Sequence, residues 1–400
     1  MSAKDIARFL SLAAVSFLAT PLFALTEIVN GITWTYSIEN GYAVISTGTA
    51  YSRAVSPTPT GHLAIPETLG GCPVTIGESA FYGCSGITSV SIPDCVTAIG
   101  GSSFRGCSSL MSVAIPSKAN GIGDSAFQDC TSLKSISISS AVRRIGPSAF
   151  KNCNKLTDVT IEDGVREIIH SAFMNCSSLT NIVIPSSTMT ISNDVFYGCS
   201  KLENVSLPFI GYQRGNMGTA DSLLGYIFGT SAFTGGTKVK QYFNASSYAE
   251  YYIPSNLKFV NVTDETTIGY GAFQNCTMLT SVTLSDTVQT CGDCAFENCN
   301  NLKTVALPSE VNDPMGYAMF RGCTLLESVV MPKGPLSVRG SMFKDCVYLT
   351  NLVLADGLTG LGGQCCSGCI NLKNVSIPET VTLIGEKAFF GSCRLFVRAA

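Results

Sequence analysis

IGESAFYGCSGITSVSIPDCVTA, residues 76–98, is the first of eleven copies of one sequence pattern. The other copies follow at intervals of 23 residues, with one step of 24 and one interruption, and begin at Ile99, Ile122, Ile145, Ile168, Ile191, Ile268, Cys291, Met315, Val338 and Leu361. A period this regular predicts a solenoid in which each copy forms one turn and packs on its neighbours. In such a fold we expect function on an extended surface, not in one catalytic cleft.

Within one copy, the spacing of apolar residues predicts where the strand lies. In the copy that starts at Ile122, Leu133, Ile136 and Ile138 follow the pattern L-x-x-I-x-I of a leucine-rich repeat strand. The polar Ser135 and Ser137 alternate with them, as a strand with one buried face requires. Stacked turns therefore predict a parallel sheet of about twelve strands, spaced about 4.8 Å apart.

The repeated motif Ala-Phe-x-x-Cys-x-x-Leu-x-x-Val-x-Ile-Pro resembles that of the BspA-like leucine-rich repeats of bacterial surface and secreted proteins. The resemblance extends from about residue 63 to residue 393, apart from one insertion. It implies a horseshoe-shaped solenoid, mostly β and irregular structure, with a parallel β-sheet on its concave face. It also implies a role in binding or adhesion to host proteins or other cells, without naming a ligand.

The nonrepetitive segments divide the chain into successive regions. Lys4 and Arg8 precede an apolar stretch over residues 9–24, which is short for a membrane span of about 20 residues; it predicts an export signal, with an uncleaved anchor as the alternative. We therefore expect a secreted or cell-surface protein with no span after signal removal. The predicted regions are a signal peptide at 1–24, an N-terminal cap with a β-hairpin at 25–62, repeats at 63–210, an aromatic insertion loop at 211–252, repeats at 253–383 and a C-terminal capping partial repeat at 384–400.

The chain has 18 cysteines, and most of them recur at one repeat position. Equivalent positions in stacked turns give parallel side chains, which do not converge as a disulfide requires, so we predict buried free thiols. These are Cys84, Cys107, Cys130, Cys153, Cys176, Cys199, Cys276, Cys299, Cys323, Cys346 and Cys369. The pairing of the others stays open: Cys72, Cys95, Cys291, Cys294, Cys365, Cys366 and Cys393.

Several classes of function are disfavoured by what the sequence contains. Cys291-x-x-Cys294 and Cys366-x-x-Cys369 have the spacing of zinc or redox pairs, but both fit core positions of the repeat and neither has a histidine nearby. The sequence has no catalytic motif, so we predict no enzyme activity, no cofactor and no metal. With 13% charged residues and a net charge of −3, it has no basic stripe for nucleic acid.

Two sets of residues are candidates for ligand binding, and the leading hypothesis is recognition of a protein or glycan on a host or neighbouring cell. One set lies on solvent-facing strand positions: Asp158, Asn181, Asn204, Asn351 and Asn374. The other lies in the insertion: Tyr212, Tyr226, Phe228, Tyr242, Phe243 and Tyr248. The alternative is a structural envelope or spacer protein, in which these aromatics only pack the loop onto the solenoid. On either hypothesis we predict that deletion of residues 213–250 leaves a folded solenoid. The oligomeric state stays open.

Overall fold

The computed structural model describes residues 24–311, 315–333, 337–392 and 396–399. It shows an almost helix-free β-solenoid of parallel strands, which confirms the predicted fold class. The predicted signal peptide lies outside the described residues except for Ala24, and so does Cys393.

The principal strands, one for each turn, form the main wall of the solenoid. They pair in parallel and in register, so that Ile136 lies opposite Val113 on one side and Val159 on the other. Five of them form one sheet: Gly61–Ala64, Ile87–Ser91, Ser112–Ala114, Ser135–Ile138 and Asp158–Ile161. Nine form the next: Asn181–Val183, Asn204–Leu207, Phe259–Val262, Ser281–Leu284, Thr304–Ala306, Ser328–Val330, Asn351–Val353, Asn374–Ile377 and Phe396–Ala399. We call their solvent-facing side the principal sheet face.

A second wall consists of two-residue minor strands that contain the leading residue of most copies. Ile76, Ile99 and Ile122 join it through single parallel bridges. The minor strands are Gly121–Ile122, Arg144–Ile145, Glu167–Ile168, Thr190–Ile191, Thr267–Ile268, Thr290–Cys291, Ser337–Val338, Gly360–Leu361 and Leu383–Ile384. The residues that follow each leading position, such as 269–276, turn the chain back toward the principal sheet, and we call them the bend segment.

The core between the walls repeats the same contacts in every regular turn. Phenylalanine rings of successive bend segments stack with centroids 4.8 to 5.9 Å apart. Nine thiols of the recurring cysteine position donate to the phenylalanine carbonyl oxygen of the preceding turn, with Sγ–O distances of 3.0 to 3.3 Å. All eleven predicted cysteines are free and buried, as predicted. Burial raises the pKa of the Cys176 thiol well above its ordinary value.

The N-terminal segment covers the first turn of the solenoid. Strands Leu25–Val29, Ile32–Glu39 and Tyr42–Ile45 pair antiparallel, and Tyr42–Ile45 pairs in parallel with Cys72–Ile76. Two short strands, Val55–Ser56 and Thr68–Leu69, complete this sheet. Trp34 is fully buried and meets Phe81 edge-on, with 6.1 Å between ring centroids. The segment therefore shields the apolar end of the phenylalanine stack from water.

The interruption in the repeat is not a single loop outside the stack, which corrects the expectation for residues 211–252. The Ile191 N–H donates to the Tyr212 carbonyl and the Phe196 N–H to the Ile227 carbonyl, as a following turn would accept them. Two 3-10 helices, Ala220–Ser222 and Leu224–Ile227, place Phe228 6.3 Å from Phe196 in the ring stack. Because Leu223, Leu224, Ile227 and Phe228 are fully buried, deletion of residues 213–250 would open the core.

An antiparallel hairpin, Gly236–Tyr242 with Tyr248–Pro254, follows this irregular turn. Gln241 anchors it: its Nε2 donates to the Ala272 carbonyl and its Oε1 accepts the Gly225 N–H, both over 2.9 Å. The chain then re-enters the principal sheet at Phe259–Val262, between Asn204–Leu207 and Ser281–Leu284. The hairpin therefore projects beside the bend segments of the second repeat block.

Candidate functional site

The principal sheet face carries two rows of solvent-facing side chains where the two repeat blocks meet. The parallel register fixes their order from strand to strand. One row runs Asn181, Asn204, Phe259 and Ser281, and the other runs Val183, Ser206, Asn261 and Thr283. A groove of about 310 Å³ lies among these side chains.

Two apolar side chains are exposed in this groove, among mostly polar neighbours. Val183 is 61% exposed and Phe259 is 46% exposed. A solvated sheet face stays soluble with serine, threonine and asparagine at such positions, so an exposed aromatic ring is unfavourable in water unless a partner covers it. This pair is therefore the apolar centre of the candidate site.

Amide side chains beside this centre are held in place across strands. Asn204 Nδ2 donates to Asn181 Oδ1, and Asn181 Nδ2 donates to Thr180 Oγ1 over 2.9 Å. On the second row, Asn261 Nδ2 donates to Ser206 Oγ over 3.1 Å. Each bond fixes a rotamer, so the remaining amide oxygens are presented to a ligand in defined directions.

The other predicted strand residues lie away from this groove. Asp158 is exposed on the five-stranded sheet and accepts a hydrogen bond from Thr157 Oγ1. Asn351 Nδ2 donates to Ser328 Oγ over 2.9 Å, near the exposed Val330 and Val353. Asn374 pairs in register with Asn351, and its side chain lies outside the described part of the structure. Of the predicted strand residues, the structure thus brings Asn181 and Asn204 together at this groove and places Asn351 and Asn374 on neighbouring strands elsewhere on the sheet.

The insertion aromatics divide by burial, and most of them stabilise the chain's own fold. Phe228 is fully buried in the ring stack, so it cannot contact a surface ligand, contrary to our expectation. Tyr212 and Tyr226 are half-buried and meet edge-on at 6.3 Å. Burial, followed by the nearby Asp221 carboxylate, raises the pKa of Tyr226. Phe243 packs against the core.

Two predicted aromatics remain at the surface, near the tip of the hairpin. Tyr248 is 50% exposed and its ring centroid lies 5.4 Å from that of the half-buried Tyr242. Lys240 Nζ lies 3.8 Å from the Tyr248 centroid and 4.8 Å from the Tyr242 centroid, close enough for cation–π contacts with both rings. The exposed aromatic surface of the insertion is thus a small cluster of two tyrosines around one lysine.

Phe259 was missing from the predicted candidates, although the sequence contains the signal for it. Leu257, Val260 and Val262 keep the strand spacing, which places Phe259 at the solvent-facing position that holds a small polar residue (serine, threonine, asparagine or aspartate) in other copies. An aromatic residue at such a position marks an exposed apolar contact.

The structure also bears on metal and membrane sites. In the described part of the chain, no three His, Cys, Asp or Glu side chains are grouped so that they could hold a metal ion. Cys291, Cys294, Cys366 and Cys369 are buried free thiols. Among the described residues, no helix is long and apolar enough to cross a membrane.

Several solved structures of leucine-rich repeat proteins are similar to this chain. A leucine-rich repeat protein from Bacteroides ovatus is 24% identical over 93% of this chain and 100% of its own, with a TM-score of 0.42. A leucine-rich cell surface protein from Faecalibacterium prausnitzii is 24% identical over 93% of this chain and 94% of its own, with a TM-score of 0.36. The pneumococcal vaccine antigen PcpA is 15% identical over 94% and 99% of the two chains, with a TM-score of 0.38.

No curated protein matches the chain. The model of the BspA type leucine-rich repeat region matches it in six copies, over residues 74–208, 237–357 and 266–395. These segments cover more than half of the 400 residues. The chain therefore belongs to the BspA-type leucine-rich repeat family.

Proposed function

We propose that this protein is an exported, non-catalytic binding or adhesion protein that recognises a surface protein of a host or neighbouring cell through the groove around Phe259. The observation that carries the proposal is the exposed Phe259 ring in the same groove as the exposed Val183, with hydrogen-bonded amides among the lining residues. An exposed aromatic residue in a shallow, preorganised groove has the properties of a protein-binding hot spot. Family membership is consistent with a binding or adhesion role.

A protein segment fits this groove better than a glycan does. The apolar contact area comes from a ring and a valine on neighbouring rows, which suits an aliphatic or aromatic side chain of a partner. The fixed amide oxygens suit the backbone N–H groups of an extended segment. The tyrosine cluster at Tyr242 and Tyr248 lies on the hairpin and contributes no residue to this groove, so it is not part of the same proposed contact.

The second candidate function is a spacer protein of the cell envelope without a specific ligand. One observation favours it: Phe228 and Tyr251 in the inserted segment are buried against the solenoid, so they stabilise the stack and do not contact a partner. On this alternative, Phe259 is an isolated exposed residue with no effect on any interaction.

Binding of the purified protein to an array of defined extracellular-matrix and cell-surface proteins tests the proposal. Phe259→Ser is compared with Val330→Ser, a matched control because Val330 is 62% exposed on the same sheet face, away from the groove. We expect Phe259→Ser to weaken binding to the partner at least tenfold and Val330→Ser to leave it unchanged. Equal binding by both variants would show that the groove around Phe259 is not the contact surface, whereas binding to no member of the array would favour the spacer.

A further inference from the structure

Three consecutive copies, which start at 268, 291 and 315, lack the serine that most copies have at one position of the bend segment; the copies starting at 191 and 361 also lack it, with Asp194 and Gln364. At the third residue after the leading position, the copies starting at 76, 99, 122, 145, 168 and 338 have serine with a left-handed φ between 53° and 60°. The copies starting at 268, 291 and 315 have Gly271, Cys294 and Ala318 there, with φ between 52° and 58°. At this position the backbone conformation is the same from copy to copy, whereas the side chain varies.

These copies form one wall of a cavity of about 570 Å³, and the hairpin tip forms the other. A Cβ atom at Gly271 would collide with the backbone carbonyl of Tyr242, so this glycine allows the hairpin to lie against the bend segment. The volume is within the range of small-molecule sites. The lining residues belong to the hairpin and the bend segments, so the cavity is separate from the groove on the principal sheet face.

The floor of the cavity is a polar network that the stacked turns hold in place. Gln274, Glu297 and Arg321 occupy the same position in the three copies, and Glu297 is only 5% exposed. Gln274 Nε2 donates to Glu297 Oε2 over 2.6 Å, and Arg321 Nε donates to Glu297 Oε1 over 2.6 Å. The Tyr242 N–H donates to Gln274 Oε1 over 3.0 Å, which ties the hairpin to this network. The cavity is therefore preorganised before any ligand binds.

Polar groups on the cavity wall remain available to a ligand. Asp293 Oδ1 accepts the Tyr317 N–H over 2.7 Å, whereas Oδ2 accepts no hydrogen bond from the described residues. Arg321 uses Nε and Nη2 for Glu297, and within the same described residues its Nη1 donates to none. Tyr317 is 45% exposed and lines the cavity together with the half-buried Tyr242. The wall thus offers an acceptor, a donor and aromatic rings.

We propose that this cavity binds one neutral pyranose unit of a glycan. A pyranose has an apolar C–H face that packs on tyrosine rings and hydroxyl groups that both donate and accept, as Asp293 Oδ2 and Arg321 Nη1 require. Two carboxylates against one guanidinium make the lining net negative, which disfavours phosphate, sulfate and acidic sugars. Lys240 contacts the Tyr242 ring but does not line the cavity. The inference does not depend on the proposed function, because it uses a different surface.

Saturation-transfer NMR of the full chain with single methyl glycosides tests this. The panel is the methyl glycosides of glucose, galactose, mannose, fucose and N-acetylglucosamine, with methyl glucuronide as the acidic member. We expect at least one neutral glycoside to bind, binding to weaken at least tenfold in Tyr317→Ala, and methyl glucuronide not to bind. Tyr348→Ala is the matched control, because Tyr348 is 55% exposed and lies outside the cavity; it should bind as the native chain does.

Binding of no neutral glycoside, equal binding by Tyr317→Ala, or preference for the glucuronide would overturn the inference. If thermal unfolding shows that Tyr317→Ala is not folded, Asp293→Asn decides, since an asparagine Oδ1 still accepts the Tyr317 N–H while an amide replaces the acceptor Oδ2. Binding of a lysine-containing peptide instead of any sugar would also overturn it. Loss of protein binding in Phe259→Ser has no bearing on these outcomes, so the two proposals fail separately.

Discussion

The two repeat blocks share one core but differ at their surfaces. In the first block, the ring stack runs from Phe81 to Phe196 with a serine at the left-handed bend position of most copies. In the second block, Phe273 to Phe343 stack in the same way, but three copies exchange that serine and form a polar cavity with the hairpin. The difference shows that packing determines the inward positions of each turn, whereas the outward positions are free to acquire chemistry.

The largest expected effect tests whether the two cores are equivalent. Phe173→Ala in the first block and Phe296→Ala in the second each remove a fully buried ring from the stack. We expect each to lower the free energy of unfolding by about 3–5 kcal/mol, through lost burial and the cavity left behind. Urea unfolding followed by circular dichroism measures both. A loss in one block at least twice that in the other would contradict the equivalence.

A smaller loss of stability is expected at glycines whose left-handed backbone conformation, and not burial in the core, limits which residue can be accommodated. Gly322 has φ +74° and an added Cβ would lie 2.5 Å from Asn298 Oδ1, whereas Gly83 has φ +67° with nothing within 4 Å. Alanine at either position adds left-handed strain of about 1–2 kcal/mol, and Gly322→Ala also collides with the amide below it. We therefore expect Gly322→Ala to be about 1 kcal/mol more destabilising than Gly83→Ala.

Thermal unfolding of the two glycine variants gives this difference directly. Because Asn298→Ala removes the collision partner, Gly322→Ala should cost no more than Gly83→Ala when its stability is measured relative to an Asn298→Ala parent. If both single variants lose equal stability, the contact with Asn298 does not restrict this turn.

The regular turns could be predicted from sequence because their structure is local and repeated. The spacing of Leu133, Ile136 and Ile138 predicted the strand and its buried face, and the recurring cysteines predicted the buried free thiols. Because the same spacing recurs in every copy, the strand and its buried face can be predicted even where one segment alone would fit a helix or a strand equally well.

The inserted segment and the cavity could not be predicted in this way. Phe228 enters the ring stack through two short 3-10 helices, and no spacing in residues 211–228 marks that geometry. The cavity depends on the hairpin anchored by Gln241 lying against a turn that is about thirty residues away. The replacement of serine by Gly271, Cys294 and Ala318 was visible in the sequence, but only the fold shows that the hairpin lies against this part of the stack.

The smallest expected effect concerns Cys294, the thiol that the second block has in place of a serine. It lines the cavity, whereas Cys153 of the first block is fully buried in the core. Burial raises the pKa of Cys294 to about 11, although the hydrogen bond from the Tyr270 hydroxyl acts in the opposite direction. Because only the thiolate is alkylated, a raised pKa makes Cys294 react slowly at pH 8 and faster as the pH rises toward 11.

Native iodoacetamide labelling, read by peptide mass spectrometry, measures this. Labelling of Cys294 should increase about tenfold for each pH unit between 8 and 10, since the thiolate fraction does so below the pKa, while Cys153 stays unlabelled until the protein unfolds. Labelling of the half-buried Cys95 serves as the control that the reagent is active at every pH. Cys294→Ser, which restores the residue of the other copies, should remove the pH-dependent signal without loss of stability. Labelling of Cys153 at the same rate as Cys294 would mean that both thiols react only when the stack opens. In that case the cavity does not let the reagent reach Cys294 in the folded protein, and the thiols of the two blocks are equally protected.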